Sequence, residues 1–226
     1  MLKHRIIPVL LFNKQLQVVQ TTQFKRPYRN CGSLMQHIEV MESRNIDEII
    51  LLDIDATKEG REPNFDVIKE FTSKLFCPVT YGGGIKTIDH ISELIQRCGV
   101  DKICLQTYAH ITHKAINKFG RQAIVEAIDC NKYYILFESD AGEILLTSIP
   151  NNGMMNGYQL DLLKYALHVY KIPVVINGGC GTPEHMLQVI KAGASAVAAS
   201  TMFLHTEHTP KSCAKALYEV GVPVRL

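Results

Sequence analysis

The sequence predicts an α/β protein folded as a (β/α)8 TIM barrel built from two similar half-barrels. Three observations predict it. Short apolar runs alternate with segments of helical period, the pattern of βα units on a parallel sheet. The apolar runs number eight. The chain also nearly repeats itself. Tyr81-Gly82-Gly83-Gly84-Ile85-Lys86-Thr87-Ile88-Asp89-His90, running on to Gln106-Thr107, returns as Asn177-Gly178-Gly179-Cys180-Gly181-Thr182-Pro183-Glu184-His185, running on to Ser200-Thr201. Each copy reads apolar strand, glycine cluster, Thr-x-acid-His helix start, amphipathic helix, second apolar strand, hydroxyl residue. Such a duplication weighs against a doubly wound open sheet. The halves divide at about residues 1–122 and 123–226, within a single domain.

Strands are expected at 6–11, 48–53, 79–81, 102–106, 123–128, 143–148, 174–176 and 196–200. A run as apolar as Ile49-Ile50-Leu51-Leu52 implies burial on both faces of the sheet. Helices are expected at 33–44, 65–75, 88–97, 113–119, 159–170, 183–191 and 210–219. Asn64, Thr87 and Thr182 suit N-caps, and Pro183 suits a first helical turn. Only about a dozen residues separate Asp129 from Glu143, roughly the minimum for a parallel crossover. The apolar stretch 133–138 is too short for a full helix, so the fifth helix is expected to be missing or reduced to a turn.

Composition narrows the function classes. Of the 226 residues, 46% are hydrophobic, enough for a sizeable core. The net charge is +2 with no basic tract, which argues against nucleic acid or a membrane surface as partner. No run reaches the ~18 apolar residues of a spanning helix, and the first residues lack a small-residue cleavage site, so no signal peptide is read. Seven cysteines (31, 77, 98, 104, 130, 180, 213), an odd number without C-x-x-C, favour reduced thiols in a cytoplasmic protein. No spacing resembles a zinc site, and no metal or other cofactor is expected.

A glycine cluster at a strand's end, just before a helix, lets backbone N–H groups approach an anion closely. Two such clusters suggest a ligand with a phosphate at each end. The alternative is that the glycines only permit tight βα turns. Arg5, Glu48, Lys102 and Glu143 each stand at the start of a strand, ahead of an apolar run. Two positive and two negative side chains there fit a closed charged ring at the barrel's lower mouth. Desolvated ion pairs add little net stability, so stability alone is a poor reason to build one. The alternative is four solvated charges. Asp129 ends the fifth strand, where a carboxylate points toward the mouth of a barrel, or else caps a loop.

Longer stretches carry a family resemblance. Arg5-Ile6-Ile7-Pro8, Asp47-Glu48-Ile49-Ile50-Leu51-Leu52-Asp53-Ile54, Gly82-Gly83-Gly84-Ile85, Ala127-Ile128-Asp129, Gly142-Glu143-Ile144-Leu145-Leu146-Thr147-Ser148-Ile149, Gly153, Gly157-Tyr158 and Gly221-Val222-Pro223-Val224-Arg225-Leu226 occur in this order. Together they resemble the cyclase subunit of imidazole glycerol phosphate synthase, over almost the whole chain. The resemblance implies a lyase of histidine biosynthesis that pairs, as a heterodimer, with a separate glutaminase subunit. Ammonia would enter the N-terminal face, cross the barrel and meet an elongated bisphosphate at the C-terminal face. It implies acid–base work for Asp129. It places one phosphate at Gly83, Gly84, Gln106 and Thr107, and the other at Gly178, Gly179, Ala199 and Ser200. Thr147 and Gly153 would line the pocket; for Thr147 the alternative is a β-branched strand filler. Arg5, Glu48, Lys102 and Glu143 would gate ammonia, and Asp101 would touch the glutaminase.

The chain departs from the family pattern at its upper face. Leu11 stands where the family has a second catalytic aspartate, and leucine neither holds nor relays a proton. Gln20 replaces a substrate-covering lysine if a one-residue insertion is allowed; Asn152 and Met154 replace an aspartate and a threonine, and Gln106 stands for asparagine. An intact gate beneath an altered rim suggests a second-copy paralogue serving a different acceptor, as in amidine (acetamidino) formation on surface-polysaccharide sugars. A barrel that only binds and activates its glutaminase is the non-catalytic reading. The related isomerase of the preceding histidine step shares the duplicated barrel but has no gate, so Glu48, Lys102, Glu143 and the run 142–149 argue against it.

Overall fold

The computed structural model describes residues 3–106, 111–131 and 138–226. In chain order the strands are β1 (Arg5–Phe12), β2 (Gln17–Thr22), β3 (Lys25–Ser33), β4 (Ile49–Asp53), β5 (Val79–Gly82), β6 (Lys102–Leu105), β7 (Ile124–Cys130), β8 (Glu143–Ser148), β9 (Val174–Asn177) and β10 (Ala196–Ala199). β1 and β4 to β10 run parallel, each paired with the next. β10 closes the cylinder on β1, from the Arg5–Ala196 pair to the Pro8–Ala199 pair. The helices are α1 (Leu34–Ser43), α2 (Phe65–Thr72), α3 (Ile88–Gln96), α4 (Thr112–Phe119), α5 (Leu160–Val169), α6 (Pro183–Lys191), α7 (Thr201–His205) and α8 (Pro210–Glu219). The sequence expectations locate all eight barrel strands and seven of these helices within a few residues.

Strand alternation divides the core in two. Ile7, Val9, Ile50, Cys104, Val125, Leu145, Val175, Ala196 and Ala198 fill the barrel. Ile6, Leu10 and Leu51, with Ile38, Ile91, Leu162 and Met186 from the helices, form the outer layer. Small residues interrupt this branched aliphatic lining at four places, alanine at 127, 196 and 198 and cysteine at 104. Burial pushes the Cys104 thiol up to about 12, so it is a neutral filler.

Local chemistry sets the helix starts. Asn64 Oδ1 accepts the Val67 N–H of α2 at 3.3 Å, and Thr87 Oγ1 accepts the His90 N–H of α3 at 3.1 Å. Thr182 holds the N-cap position of α6 but makes no such bond. Its hydroxyl serves the Glu184 carboxylate instead, holding that group below its ordinary value. Thr209 and Ser212 form a reciprocal capping box at α8.

Two elements go beyond the sequence expectations. β2 and β3 form a hairpin above the barrel mouth. Its tip is Gln23-Phe24, both left-handed (φ 53° and 60°), a two-residue turn made without glycine. α7, five residues long, follows β10 directly. The expected shortening of the fifth helix falls on residues 132–137, outside the described residues. The described flank, 138–142, contains no helix. It is fastened to the start of β7: Gly142 N–H donates to Ile124 O at 3.0 Å, Arg121 Nη2 donates to Ala141 O at 3.2 Å, and the Ser139 hydroxyl donates to the Glu126 carboxylate.

Gly142 is pressed onto backbone, since a Cβ there would stand 2.2 Å from Arg121 O. Gly142→Ala is expected to cost about 1–3 kcal/mol, as overpacking against rigid atoms does. Equilibrium urea unfolding checks this through a lowered midpoint at unchanged slope.

Candidate active site and the ionic ring beneath it

The lower mouth of the barrel is closed by ions. Arg5 and Lys102 open β1 and β6, Glu143 opens β8, and Glu48 immediately precedes β4. Arg5 Nη1 bonds Glu48 Oε2 at 2.5 Å, and Arg5 Nη2 bonds Glu143 Oε1. Lys102 Nζ bonds Glu48 Oε1 and Glu143 Oε2, both at 2.9 Å. Each cation thus bridges both carboxylates. Thr80 Oγ1 on β5 adds a bond to Glu48 Oε1 at 3.1 Å. The carboxylates are buried (side chains 3% and 8% exposed), while Arg5 and Lys102 keep 28% and 21% exposure. Burial alone would raise the Glu143 carboxyl; the Arg5 hydrogen bond and the charges of Arg5 and Lys102 outweigh it and hold the group below its ordinary value. Asp101 lies beside the ring, but its Oδ2 accepts the Val79 N–H at 2.8 Å and so fixes the start of β5.

The upper mouth holds a cavity of about 280 Å³. Its floor is Val9, Leu11, Leu52, Cys104, Ala127 and Leu145, and its polar wall includes Gln106, Asp129, Thr147, Asn177 and Ser200. Asp129, the penultimate residue of β7, is half-buried. Gln106 Nε2 donates to its Oδ2 at 2.7 Å, the Thr147 hydroxyl serves it from β8, and Asn177 Nδ2 donates to Thr147 Oγ1 at 3.2 Å. Burial raises the Asp129 carboxyl above its ordinary value, against the opposing pull of Gln106, Thr147 and the Lys58 charge. Asp53, also on the wall, is saturated: Arg61 holds both its oxygens at 2.9 and 3.0 Å, and the Ala56 N–H donates to it at 3.0 Å.

Both glycine pairs face the mouth. Gly83 and Gly84 line the large cavity; Gly178 and Gly179, with Ala199 and Ser200, line a neighbouring one of about 20 Å³. All four glycines have positive φ. Gly83 abuts Asp53, whose carbonyl would stand 2.4 Å from a Cβ. The Gly84 N–H donates to Thr57 Oγ1 at 3.1 Å, which brings Thr57 into the first pair's surroundings. Gly153 lines the smaller cavity and presses on the hairpin, with a Cβ position 2.3 Å from Thr21 O. Thr107 lies outside the described residues.

The hairpin roofs the cavity. Thr21 Oγ1 donates to Asn152 Oδ1 at 2.7 Å, the Gln23 N–H to Asn152 O at 2.9 Å and Gln23 Nε2 to Pro150 O at 3.1 Å. On the opposite side Arg26 bonds Asp55 at 2.6 Å. Phe24, Tyr28 and Lys58 line the cavity with Thr57, and sequence reasoning singled out none of them. No motif tells which side chains of a βα loop turn inward. Lys58 Nζ lies 3.5 Å from Tyr28 Oη.

The model of a family described as histidine biosynthesis protein matches residues 5–140 and 134–209. The chain belongs to this family, and is of the HisF type. It is 37% identical to the "Putative imidazole glycerol phosphate synthase subunit hisF2" of Campylobacter jejuni, covering 100% of both chains. It is 35% and 33% identical to proteins named imidazole glycerol phosphate synthase subunit HisF, from Dictyoglomus thermophilum and Pyrococcus furiosus, again over 100% of each chain. The Campylobacter alignment spans 251 positions against 226 residues here, so this HisF-type chain lacks segments that its relative has. The two matched segments overlap at 134–140, in the short interval after β7.

A lowered native value means that the unfolded chain binds the Glu143 proton more tightly. The stability contributed by this carboxylate is therefore complete above its unfolded value of 4.5 and is lost as pH falls through the native one. Glu143→Gln is expected to cost about 2 kcal/mol at pH 7, less than for a fully buried pair because both cations are partly solvated. It should also flatten the loss of stability below about pH 4.5. Urea midpoints measured from pH 3 to 7 check both.

Proposed function

We propose that this chain is the ammonia-using synthase subunit of a two-protein glutamine amidotransferase, acting on a phosphorylated acceptor. HisF-type relatives carry the name of imidazole glycerol phosphate synthase, a cyclase of histidine biosynthesis. The observation that carries the reading is the placement of the ionic ring and the rim cavity at opposite ends of one interior. Between them the lining is apolar, with the small residues Cys104, Ala127, Ala196 and Ala198 set among Ile, Val and Leu side chains. A small neutral nucleophile fits that route better than water-borne ions do, because an apolar lining penalises charge.

Each residue has a role in this scheme. Lys102 opens the ring: it is held by one flexible ammonium, whereas Arg5 grips both carboxylates with a planar fork. The glutaminase docks on the ring's face, where Asp101 lies and Phe76, 92% exposed, offers an apolar contact. Gly83 and Gly84, with Gln106 and Thr107, hold one phosphate; Gly178, Gly179, Ala199 and Ser200 hold the other. Thr147 and Gly153 shape the wall between them. Asp129 works as acid and base, its raised carboxyl keeping a proton at higher pH than a solvated aspartate does. The whole chain acts as a single domain in the cytoplasm; among the described residues no helix is long and apolar enough to cross a membrane.

Leu11 lines the cavity where the family pattern has its other aspartate. With one carboxylate removed, the two-carboxylate cyclisation does not run, so the acceptor differs from that of histidine biosynthesis. Amidine formation on a phosphorylated or nucleotide-linked sugar fits a site that needs ammonia and a single acid–base group. The reading that this barrel only activates a glutaminase draws on the same Leu11.

Two outcomes are expected. With its co-purified glutaminase and glutamine, Asp129→Asn should lower incorporation of ¹⁵N into product about 100-fold or more, while raising the urea midpoint because a desolvated charge is gone. Stimulated glutamine hydrolysis with no ¹⁵N product in the unsubstituted complex would instead establish the activator. With ammonium and the ribulosyl phosphoribosyl substrate of the histidine pathway, turnover should be slight. Family-level rates there would overturn the claim of a different acceptor, and Leu11→Asp tests that position alone.

A further inference from the structure

The Thr-x-acid-His signature opens both helices that follow a glycine pair, and the scheme above leaves its histidine without a role. The structure gives both histidines the same bond. The Lys86 N–H donates to His90 Nδ1 at 3.3 Å, and the Gly181 N–H donates to His185 Nδ1 at 3.2 Å. The donors are equivalent: each stands two residues after the second glycine of its pair and one residue before the N-cap, Thr87 or Thr182. A backbone N–H only donates, so Nδ1 is unprotonated in this arrangement and the ring proton is assigned to Nε2.

Each histidine also reaches the preceding βα loop, the one its glycine leans on. A Cβ on Gly84 would stand 2.8 Å from Arg61 O and 3.2 Å from the Glu62 carbonyl carbon, and His90 Nε2 lies 3.7 Å from Glu62 Oε1. A Cβ on Gly179 would stand 2.1 Å from Gly157 O. The His185 ring stands over that same Gly157, its Cδ2 3.6 Å from where a Cβ would be, and the Gly157 N–H donates to Gly179 O at 2.8 Å. The two helices otherwise share little: Ile88 and Asp89 in one answer Pro183 and Glu184 in the other. Only the N-cap threonine and the histidine hold identical places in the motif.

We propose that His90 and His185 are positioning residues for the two phosphate cradles. Each imidazole clamps a glycine loop between the first turn of its own helix and the preceding loop, so that the backbone donors keep one aim. The need is physical. A cradle of backbone N–H groups has no side chain to correct its direction, and glycine is the residue with the widest conformational freedom. The four glycines sit at φ values of 118°, 71°, 88° and 106°, which only an external restraint holds together. The proposal rests on reading the glycine pairs as anion sites.

The test uses the full chain, inorganic phosphate as probe, and four variants: His90→Leu, His185→Leu, His90→Gln and His185→Gln. Calorimetric titration should show each leucine variant weakening one phosphate-binding event about five- to ten-fold, the loss of one hydrogen bond's net contribution. Glutamine, an acceptor of similar reach from the third helical position, should restore it. Amide exchange at Lys86 or Gly181 should quicken in the matching leucine variant. Leucine variants that bind phosphate as the unsubstituted chain does, despite quickened exchange, overturn the proposal. So does a folded glutamine variant that has lost binding, which keeps the test decisive should a leucine variant fail to fold. Fast exchange of both amides in the unsubstituted chain would remove the clamp while leaving the cradles standing. Absence of phosphate binding there, with slow exchange, would remove the cradles and with them the function assigned to the clamp.

Discussion

Closing the sheet, β10 onto β1, is the constraint on which the rest of this molecule depends. Once the cylinder is shut, every second side chain of eight strands shares one narrow interior with no exit through the sheet. Residues far apart in sequence are forced into contact: Arg5 meets Glu143 across 138 positions because β1 and β8 look into the same space. The same alternation that sends Ile7 and Val9 inward puts Arg5 below them and Leu11 above. The strand period fixes which positions face inward, and the residues at those positions put charge at the floor, apolar side chains in the middle and a polar wall at the rim.

Much of this was legible because a parallel barrel writes its ends into its strands. Arg5, Lys102 and Glu143 open strands and Glu48 adjoins one, so their meeting could be read from apolar runs and their flanks. The glycine pairs were legible as a repeat. Other features left no local signal. The β2–β3 hairpin turns at Gln23-Phe24 with both residues left-handed and no glycine to announce it. α7 is too short for its period to show. Thr182 reads as a capping hydroxyl, yet it turns to Glu184. The bond from the Val79 amide to Asp101 and the close approach of Thr21 to Gly153 leave no trace in the sequence either. In each case a tertiary partner, invisible in one dimension, gives the residue a contact that its local context does not announce.

The two ends of the interior hold their charges differently. At the floor, four ions neutralise one another and every carboxylate oxygen has a cationic partner. At the rim, Asp129 has amide and hydroxyl donors from β8 and the end of β6, with Lys58 acting only at a distance. A neutral shell steadies a carboxylate without quenching its basicity, whereas a cationic one fixes it in the ionised form. Asp53, on the same cavity wall, has the cationic kind of shell, with Arg61 on both its oxygens.

The roof over the rim has its own consequence. The hairpin is tied on one side to Asn152 and Pro150 and on the other to Asp55. The two seams fix the hairpin's height over the rim from both sides, so the shape of the space above Asp129 is set jointly by a strand turn near the start of the chain and by the loop that follows β8.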